Sequence, residues 1–278
     1  MSVRLESAGT AITTRATLRT NSPLHVLIVG ASYGGLCLAH GLRRAGVSCA
    51  LYEARPGLTD GSAGSRVVID PMGNRALKEC LPSDLFAAFL AATARAPGRP
   101  SSGLERQPLR RLLLTGLADR LHFGKMLTHY ERQADGTVTA FFADGGSASG
   151  QVLVAADGAR SSVRDQYLRE LTPRRHLNLR RFHPAADPGS AFPLQIVSAE
   201  LAPAWLASNV TLVGDAIHAA TPGPRAGANT ALRDAMLLSR ALSFVQADRV
   251  GLHNAVAAYE TEMVRFNPAR ATSVWRPQ

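Results

Sequence analysis

Three short stretches of the sequence combine small residues with carboxylates in a way that suits a phosphate- and sugar-bearing ligand. The first is Gly30-Ala31-Ser32-Tyr33-Gly34-Gly35, with Glu53 following at close to the spacing of about 20 residues expected between a phosphate turn and a ribose acceptor. Gly30 permits a tight turn, a small residue at Ser32 lets backbone approach a pyrophosphate, and Gly35 allows helix and strand to pack closely. Ser32 stands where the usual fingerprint has its second glycine, and its hydroxyl can donate to a phosphate. The second stretch is Ala156-Asp157-Gly158 through Arg164; the third is Gly214-Asp215 through Asp234-Ala235, including Gly227-Ala228-Asn229. A carboxylate at a strand tip can hold sugar hydroxyls. A Pro/Gly loop running into a helix aims backbone N–H groups and a positive dipole end at a developing anion.

The elements that must position these groups are legible from periodicity. The run Leu24-His25-Val26-Leu27-Ile28-Val29 reads as a buried parallel strand. The glycine turn then opens a helix with Leu36, Leu38, Ala39 and Leu42 available to face a sheet, ending near Gly46. A second strand, Val47 to Tyr52, delivers Glu53. Gln151 to Ala155 delivers Asp157, with Ser161 or Ser162 as the N-cap of the next helix, and Asn209 to Val213 delivers Asp215. Ligands in open α/β sheets bind outside the carboxyl ends of such strands, where all three motifs fall.

In this order the motifs resemble those of the group A FAD-dependent monooxygenases, the para-hydroxybenzoate hydroxylase-like aromatic-ring hydroxylases. The resemblance implies a Rossmann-like α/β FAD-binding fold, mostly parallel sheet plus a β-meander. It also implies that Gly30, Ser32, Gly34, Gly35 and Glu53 serve the adenosine and pyrophosphate of FAD, and that Asp157 supports both FAD and NAD(P)H. Asp215 would contact the ribityl chain, and Gly227, Ala228 and Asn229 would lie against the flavin pyrimidine edge. Arg106 resembles a family position that contacts FAD, and Arg55 and Arg66 resemble cofactor-side arginines. FAD is the implied cofactor and NADPH or NADH the reductant. The implied activity is hydroxylation or epoxidation of a small aromatic or polyketide-like substrate through a flavin C4a-hydroperoxide. Because the flavin carries that chemistry, no catalytic acid or base is assigned, and His218 is read as ordering its loop.

Composition bounds the rest. A chain of 278 residues with 46% hydrophobic and 19% charged residues is globular arithmetic. Its net charge of +10 is scattered; of the 31 basic residues only Lys78 and Lys125 are lysines, and no basic run with interleaved aromatics marks a nucleic-acid face. Cys37, Cys49 and Cys80 lack the spacing of a zinc site or disulfide framework, which suggests a reduced, cytoplasmic protein with no metal. The apolar stretch from Leu24 to Tyr52 is interrupted by His25, His40, Arg43 and Arg44, so no membrane span is expected. The expected partner is a small-molecule substrate.

The organisation expected is a disordered extension over 1–23, a first part of the FAD-binding domain over 24–168, a shortened substrate-domain remnant over 169–208, and a second part over 209–278. Between the motifs, Arg66 to Asp70 reads as a strand, Pro71 to Cys80, Ser83 to Ala92 and Arg106 to Leu117 as helices, and Ala94 to Gly103 as a loop. Leu121 to Phe123, Met126 to Gln133, Thr137 to Ala143 and Gln151 to Ala155 read as an antiparallel series with Asp135-Gly136 and Asp144-Gly145 turns. Helices are expected over Ala228 to Phe244 and His253 to Asn267. Family members carry a longer segment where this chain has 169–208, one that roofs the substrate over the flavin. The alternative reading is therefore an FAD-binding module or shortened pseudoenzyme that hydroxylates poorly, because oxygen chemistry at a flavin needs water excluded.

Overall fold

The computed structural model describes residues 23–57, 66–94, 103–171, 207–218 and 226–265. The expected N-terminal extension and nearly all of the expected remnant, together with the loop Thr221 to Arg225, lie outside the described residues. The first motif folds as read: strand β1 (His25–Val29), helix α1 (Tyr33–Arg44) and strand β2 (Ser48–Glu53), with β1 and β2 parallel. β3 (Arg66–Val68), helix α2 (Pro71–Cys80) and helix α3 (Ser83–Ala94) follow. Then come β4 (Gly103–Glu105), α4 (Arg106–Leu114), β5 (Leu121–Phe123), β6 (Leu127–Arg132), β7 (Val138–Phe142), β8 (Ser147–Gly150) and β9 (Val152–Ala155). The chain continues with α5 (Ser162–Leu171), β10 (Val210–Leu212), a 3-10 turn over Gly214–Ala216, α6 (Ala226–Gln246) and α7 (Leu252–Arg265).

The central sheet is parallel throughout, in the order β10-β9-β1-β2-β5. β1 takes the middle because it is apolar on both faces. Val26 and Ile28 enter the core shared with α1, α2, α4 and α6, while Leu27 and Val29 enter a second core shared with the meander β6-β7-β8 and Tyr167 of α5. Each such side chain taken out of water contributes about 1.5–3 kcal/mol, so the sheet is clamped between a helical layer and the meander. The helical layer is tightest where α1 crosses α6: a methyl group added at Gly34 would meet the Ala231 side chain at 3.2 Å.

Two strand assignments need correction. Leu121 to Phe123 and Gln151 to Ala155 were expected in an antiparallel series, yet β5 and β9 pair parallel with β2 and β1. The strand that closes the meander is instead β8, paired antiparallel with β7. Its sequence, Ser147-Ala148-Ser149-Gly150, has no large apolar residue to reveal it; β8 is recognised by its ladder, and Gly150 lies against β1, where a side chain would meet the His25 carbonyl at 2.8 Å. The loop expected over Ala94 to Gly103 also ends in a strand, since β4 pairs with β3. Asp70, expected to end a strand, instead caps α2 by accepting the Gly73 amide at 2.8 Å.

Candidate active site

The carboxyl ends of β1, β2 and β9 open on a cleft of ≈ 750 Å³ that gathers residues from all three motifs: Gly30 and Ser32, Glu53 and Arg55, Asp157, and Asp215. Gln107 and Arg110 of α4 and Lys125 and Met126 after β5 complete its rim.

Gly30 has φ +102°, and a Cβ there would collide with the Ala156 carbonyl, so β1 and β9 can turn side by side into the cleft only with glycine at this position. Gly35 is equally closed, because its Cβ would strike the Gly30 carbonyl. Gly34 is buried against α6 and serves packing. Ser32 is the N-cap of α1, its Oγ accepting the Gly35 amide at 3.3 Å. That bond uses a lone pair and leaves the hydroxyl hydrogen free to donate into the cleft.

Glu53 stands at the tip of β2 as read, but it is already partnered. Its Oε2 accepts from the Ala31 amide at 3.0 Å and from Arg110 Nη2 at 3.3 Å, and its Oε1 accepts from the Arg55 amide at 3.1 Å. Arg110 also donates through Nε to the Ala31 carbonyl at 3.3 Å. Among the described side chains, the α4 arginine in the cleft is Arg110. Arg106 opens α4 as expected, while its side chain and that of Arg66 lie outside the described residues. The signal for Arg110 was present in the sequence, one helical turn beyond Arg106.

Asp157 accepts the Ser162 amide and hydroxyl through Oδ2, at 3.0 and 3.4 Å, while its Oδ1 is buried without a partner. Burial pushes its carboxyl above the usual aspartate range, against the lowering effect of hydrogen bonds from Ser161 and Ser162. Ser161 caps α5 through a 3.0 Å bond from the Arg164 amide. The Arg164 side chain, not assigned from the sequence, donates to the carbonyls of Ala159 at 3.0 Å and Ala216 at 3.1 Å, tying the second motif to the third.

Asp215 reaches the cleft from the 3-10 turn, with Gly227 packed so closely that a methyl there would meet its Oδ1 at 2.8 Å. Gly214 adopts φ +61° against Ala231, and its amide donates to the fully buried Asp234 at 3.0 Å. His218 Nε2 lies 3.0 Å from the same Asp234 oxygen, in agreement with a loop-ordering role. The Asn229 side chain accepts the Asp70 amide at 3.0 Å and donates to the Val68 carbonyl at 2.8 Å, joining α6 to the β3–α2 corner. Ala228 is half-buried against the core at the same helix start. No cluster able to hold a metal ion occurs among the described residues, and none of their helices is long and apolar enough to cross a membrane.

The donor set fits a flavin dinucleotide. Asp157 Oδ1 is a buried acceptor awaiting a donor, the Gly30 turn presents backbone where no side chain can stand, and α1 opens its N-terminal amides toward the same cleft.

Sequence and structure comparisons agree with that fit. Residues 174–267 match the FAD binding domain family, and residues 28–78 match the NAD(P)-binding Rossmann-like domain family. The first of these matches begins inside the segment read as a substrate-domain remnant. The chain is 33% identical over 177 residues to the dual O-methyltransferase/FAD-dependent monooxygenase elcB of Phaeosphaeria nodorum, covering 53% of this chain and 19% of that protein. It is 30% identical over 175 residues to the FAD-dependent urate hydroxylase of Klebsiella pneumoniae, covering 55% and 44%. The chain thus spans less than half the length of these curated relatives. Among solved structures, a protein of Photorhabdus luminescens assigned as an FAD containing monooxygenase superposes with a TM-score of 0.71 at 27% identity, covering 88% of this chain and 94% of that one. The fold is also shared with Klebsiella pneumoniae HpxO complexed with FAD and uric acid, at a TM-score of 0.65 and 20% identity, covering 89% and 86%.

Proposed function

We propose that this chain, an FAD-binding relative of the FAD-dependent monooxygenases, is itself a monooxygenase that uses NAD(P)H to hydroxylate or epoxidise a small aromatic or polyketide-like molecule. The observation that carries the reading is the convergence of Gly30, Glu53, Asp157 and Asp215 on one cleft from three separated motifs. A dehydrogenase-like nucleotide fold would account for Gly30 and Glu53 but leave Asp215 and the α6 start without a role. Urate hydroxylation by the Klebsiella pneumoniae relative supports a small cyclic substrate.

In this reading Gly30, Ser32 and Glu53 form the adenosine and pyrophosphate end, while Gly34 and Gly35 pack the start of α1 that faces the phosphates. Asp157 accepts a hydroxyl hydrogen at Oδ1, Arg55 and Arg106 lend positive charge along the cofactor, and Asp215 accepts from a sugar-like chain. Gly227, Ala228 and Asn229 offer the backbone of the α6 start to the pyrimidine edge, since the Asn229 side chain is engaged elsewhere. Bound FAD supplies the electron transfer and oxygen activation. The protein's part is position and electrostatics: Arg164 ties the second motif to the third, and Asp234 fixes the Gly214 turn of the third.

Shared length favours a second reading, an FAD-binding module or one part of a larger assembly, because the chain covers 19% and 44% of the two relatives compared. One experiment separates the readings. The absorbance spectrum of the purified or reconstituted protein is recorded first, then NADPH- and NADH-driven oxygen uptake with peroxide detection, with and without a panel of phenolic and purine substrates. Substrate-stimulated uptake with little peroxide is expected of the monooxygenase. A flavin spectrum with substrate-independent peroxide supports the module, and failure to take up flavin overturns both.

A further inference from the structure

The cleft contains a cation that neither the motifs nor the comparisons assign. We infer that Arg110 is the positioning residue of the nucleotide end, fixing Glu53 so that the carboxylate offers a ribose a single acceptor, at Oε1; the inference rests on the FAD-binding reading.

A carboxylate has two oxygens and about four acceptor directions. On Glu53 both directions of Oε2 are taken, one by the Ala31 amide at 3.0 Å and one by Arg110 at 3.3 Å. Oε1 accepts the Arg55 amide at 3.1 Å and keeps one direction open. Arg110 cannot drift from this pose, because its Nε is held by the Ala31 carbonyl at 3.3 Å and the helix that carries it is anchored by Leu109 and Leu113 in the core. Glu53, Ala31 and Arg110 thus close a ring: the Ala31 amide donates to Glu53, and the Ala31 carbonyl receives from the arginine that also donates to Glu53. Both charged side chains are only 13% exposed, so the ring is largely shielded from water. Only the guanidinium fork, with donors in fixed relative directions, can serve Ala31 and Glu53 together.

A single fixed acceptor reads one ribose hydroxyl, not two. The test is calorimetric binding of ADP, 2′-deoxy-ADP and 3′-deoxy-ADP to the flavin-stripped chain, with FAD as a separate probe. For the unaltered protein, one deoxy analogue is expected to bind about 10-fold or more weakly than ADP, the loss of a hydrogen bond to a charged group. The other should stay within about 3-fold. Arg110→Met should bring both analogues within about 3-fold of ADP, because an untethered Glu53 no longer presents a fixed acceptor. Arg110→Lys, which reaches one partner but not both, should keep part of the discrimination, and it carries the test if the methionine variant does not fold. Equal losses for the two analogues in the unaltered protein, or unaltered discrimination in both variants, would overturn the inference while leaving the FAD reading intact. A chain that binds neither ADP nor FAD overturns both.

Discussion

The guanidinium of Arg164 reaches the Ala216 carbonyl at 3.1 Å, so the turn after β9 and the turn after β10 are joined by one buried side chain. Its second bond, to the Ala159 carbonyl at 3.0 Å, fixes the loop that carries Asp157. Arg164→Met should leave both carbonyls without their charged donor and lower stability by about 2–4 kcal/mol. Thermal unfolding followed by circular dichroism would read this as a fall of several degrees. Arg164→Lys should recover little, because an ammonium cannot span the two carbonyls. A variant with unchanged unfolding and unchanged FAD affinity would show that the two turns hold their places independently.

Asn229 is expected to behave as a structural residue. Replacing it with leucine strands the part-buried Asp70 amide and Val68 carbonyl, at a cost of about 1 kcal/mol for each. Asn229→Asp keeps the acceptor for Asp70 while facing the Val68 carbonyl with a second acceptor, and should be destabilised too. Urea denaturation with an unchanged slope would report the loss as a midpoint shift.

Gly30 and Gly46 make a matched pair. Both have positive φ, +102° and +71°, but a Cβ at Gly46 would find nothing within 4 Å, whereas one at Gly30 would collide with the Ala156 carbonyl. Gly46→Ala should cost about 1–2 kcal/mol, the price of the backbone conformation alone. Gly30→Ala should cost several kcal/mol more and abolish flavin uptake, a difference visible in soluble yield and in the absorbance spectrum.

Asp157 sets a pH dependence. Because burial raises its carboxyl in the folded chain above its unfolded value, the folded state holds the proton more tightly, and ionisation weakens the fold as pH rises through the aspartate range and above. Asp157→Asn should therefore melt a few degrees higher than the unaltered, flavin-free chain at pH 7. That gap should close as pH falls toward about 4. The same variant should bind FAD more weakly. A gap that is constant with pH would mean that the carboxyl is not the titrating cause.

Much of this was legible in residue order. β1, α1 and β2 are a self-contained pattern whose strands are apolar on both faces and whose glycine turn has one workable geometry, so periodicity and spacing put Gly30 just after β1 and Glu53 at the end of β2, where they lie. Asp157 and Asp215 were equally legible at strand tips. What escaped depends on partners distant in sequence. β8 is made of small residues and exists because β7 pairs with it; β5 and β9 are short apolar runs whose direction is decided by β2 and β1. That the Asn229 side chain ties α6 to Val68 and Asp70 is likewise visible only once those partners are seen beside it. Arg110 and Arg106 differ by one helical turn, and only the pairing with Glu53 and Ala31 places Arg110 in the cleft.

The close seating of α1 on α6 has a consequence for how the molecule is made. Gly34, Leu36, Leu38 and Leu42 are synthesised long before Ala231, Leu238 and Leu242, the α6 residues that pack against them or share their core. β1 must likewise wait for β9, and β9 for β10. The nascent chain therefore carries an uncovered apolar helix and an unfinished sheet until β9, β10 and α6 have been made. Such distant pairings fold slowly and leave sticky surface in the meantime. Its yield in the cell should depend on holding chaperones more than on final stability, and overexpression without them should favour inclusion bodies.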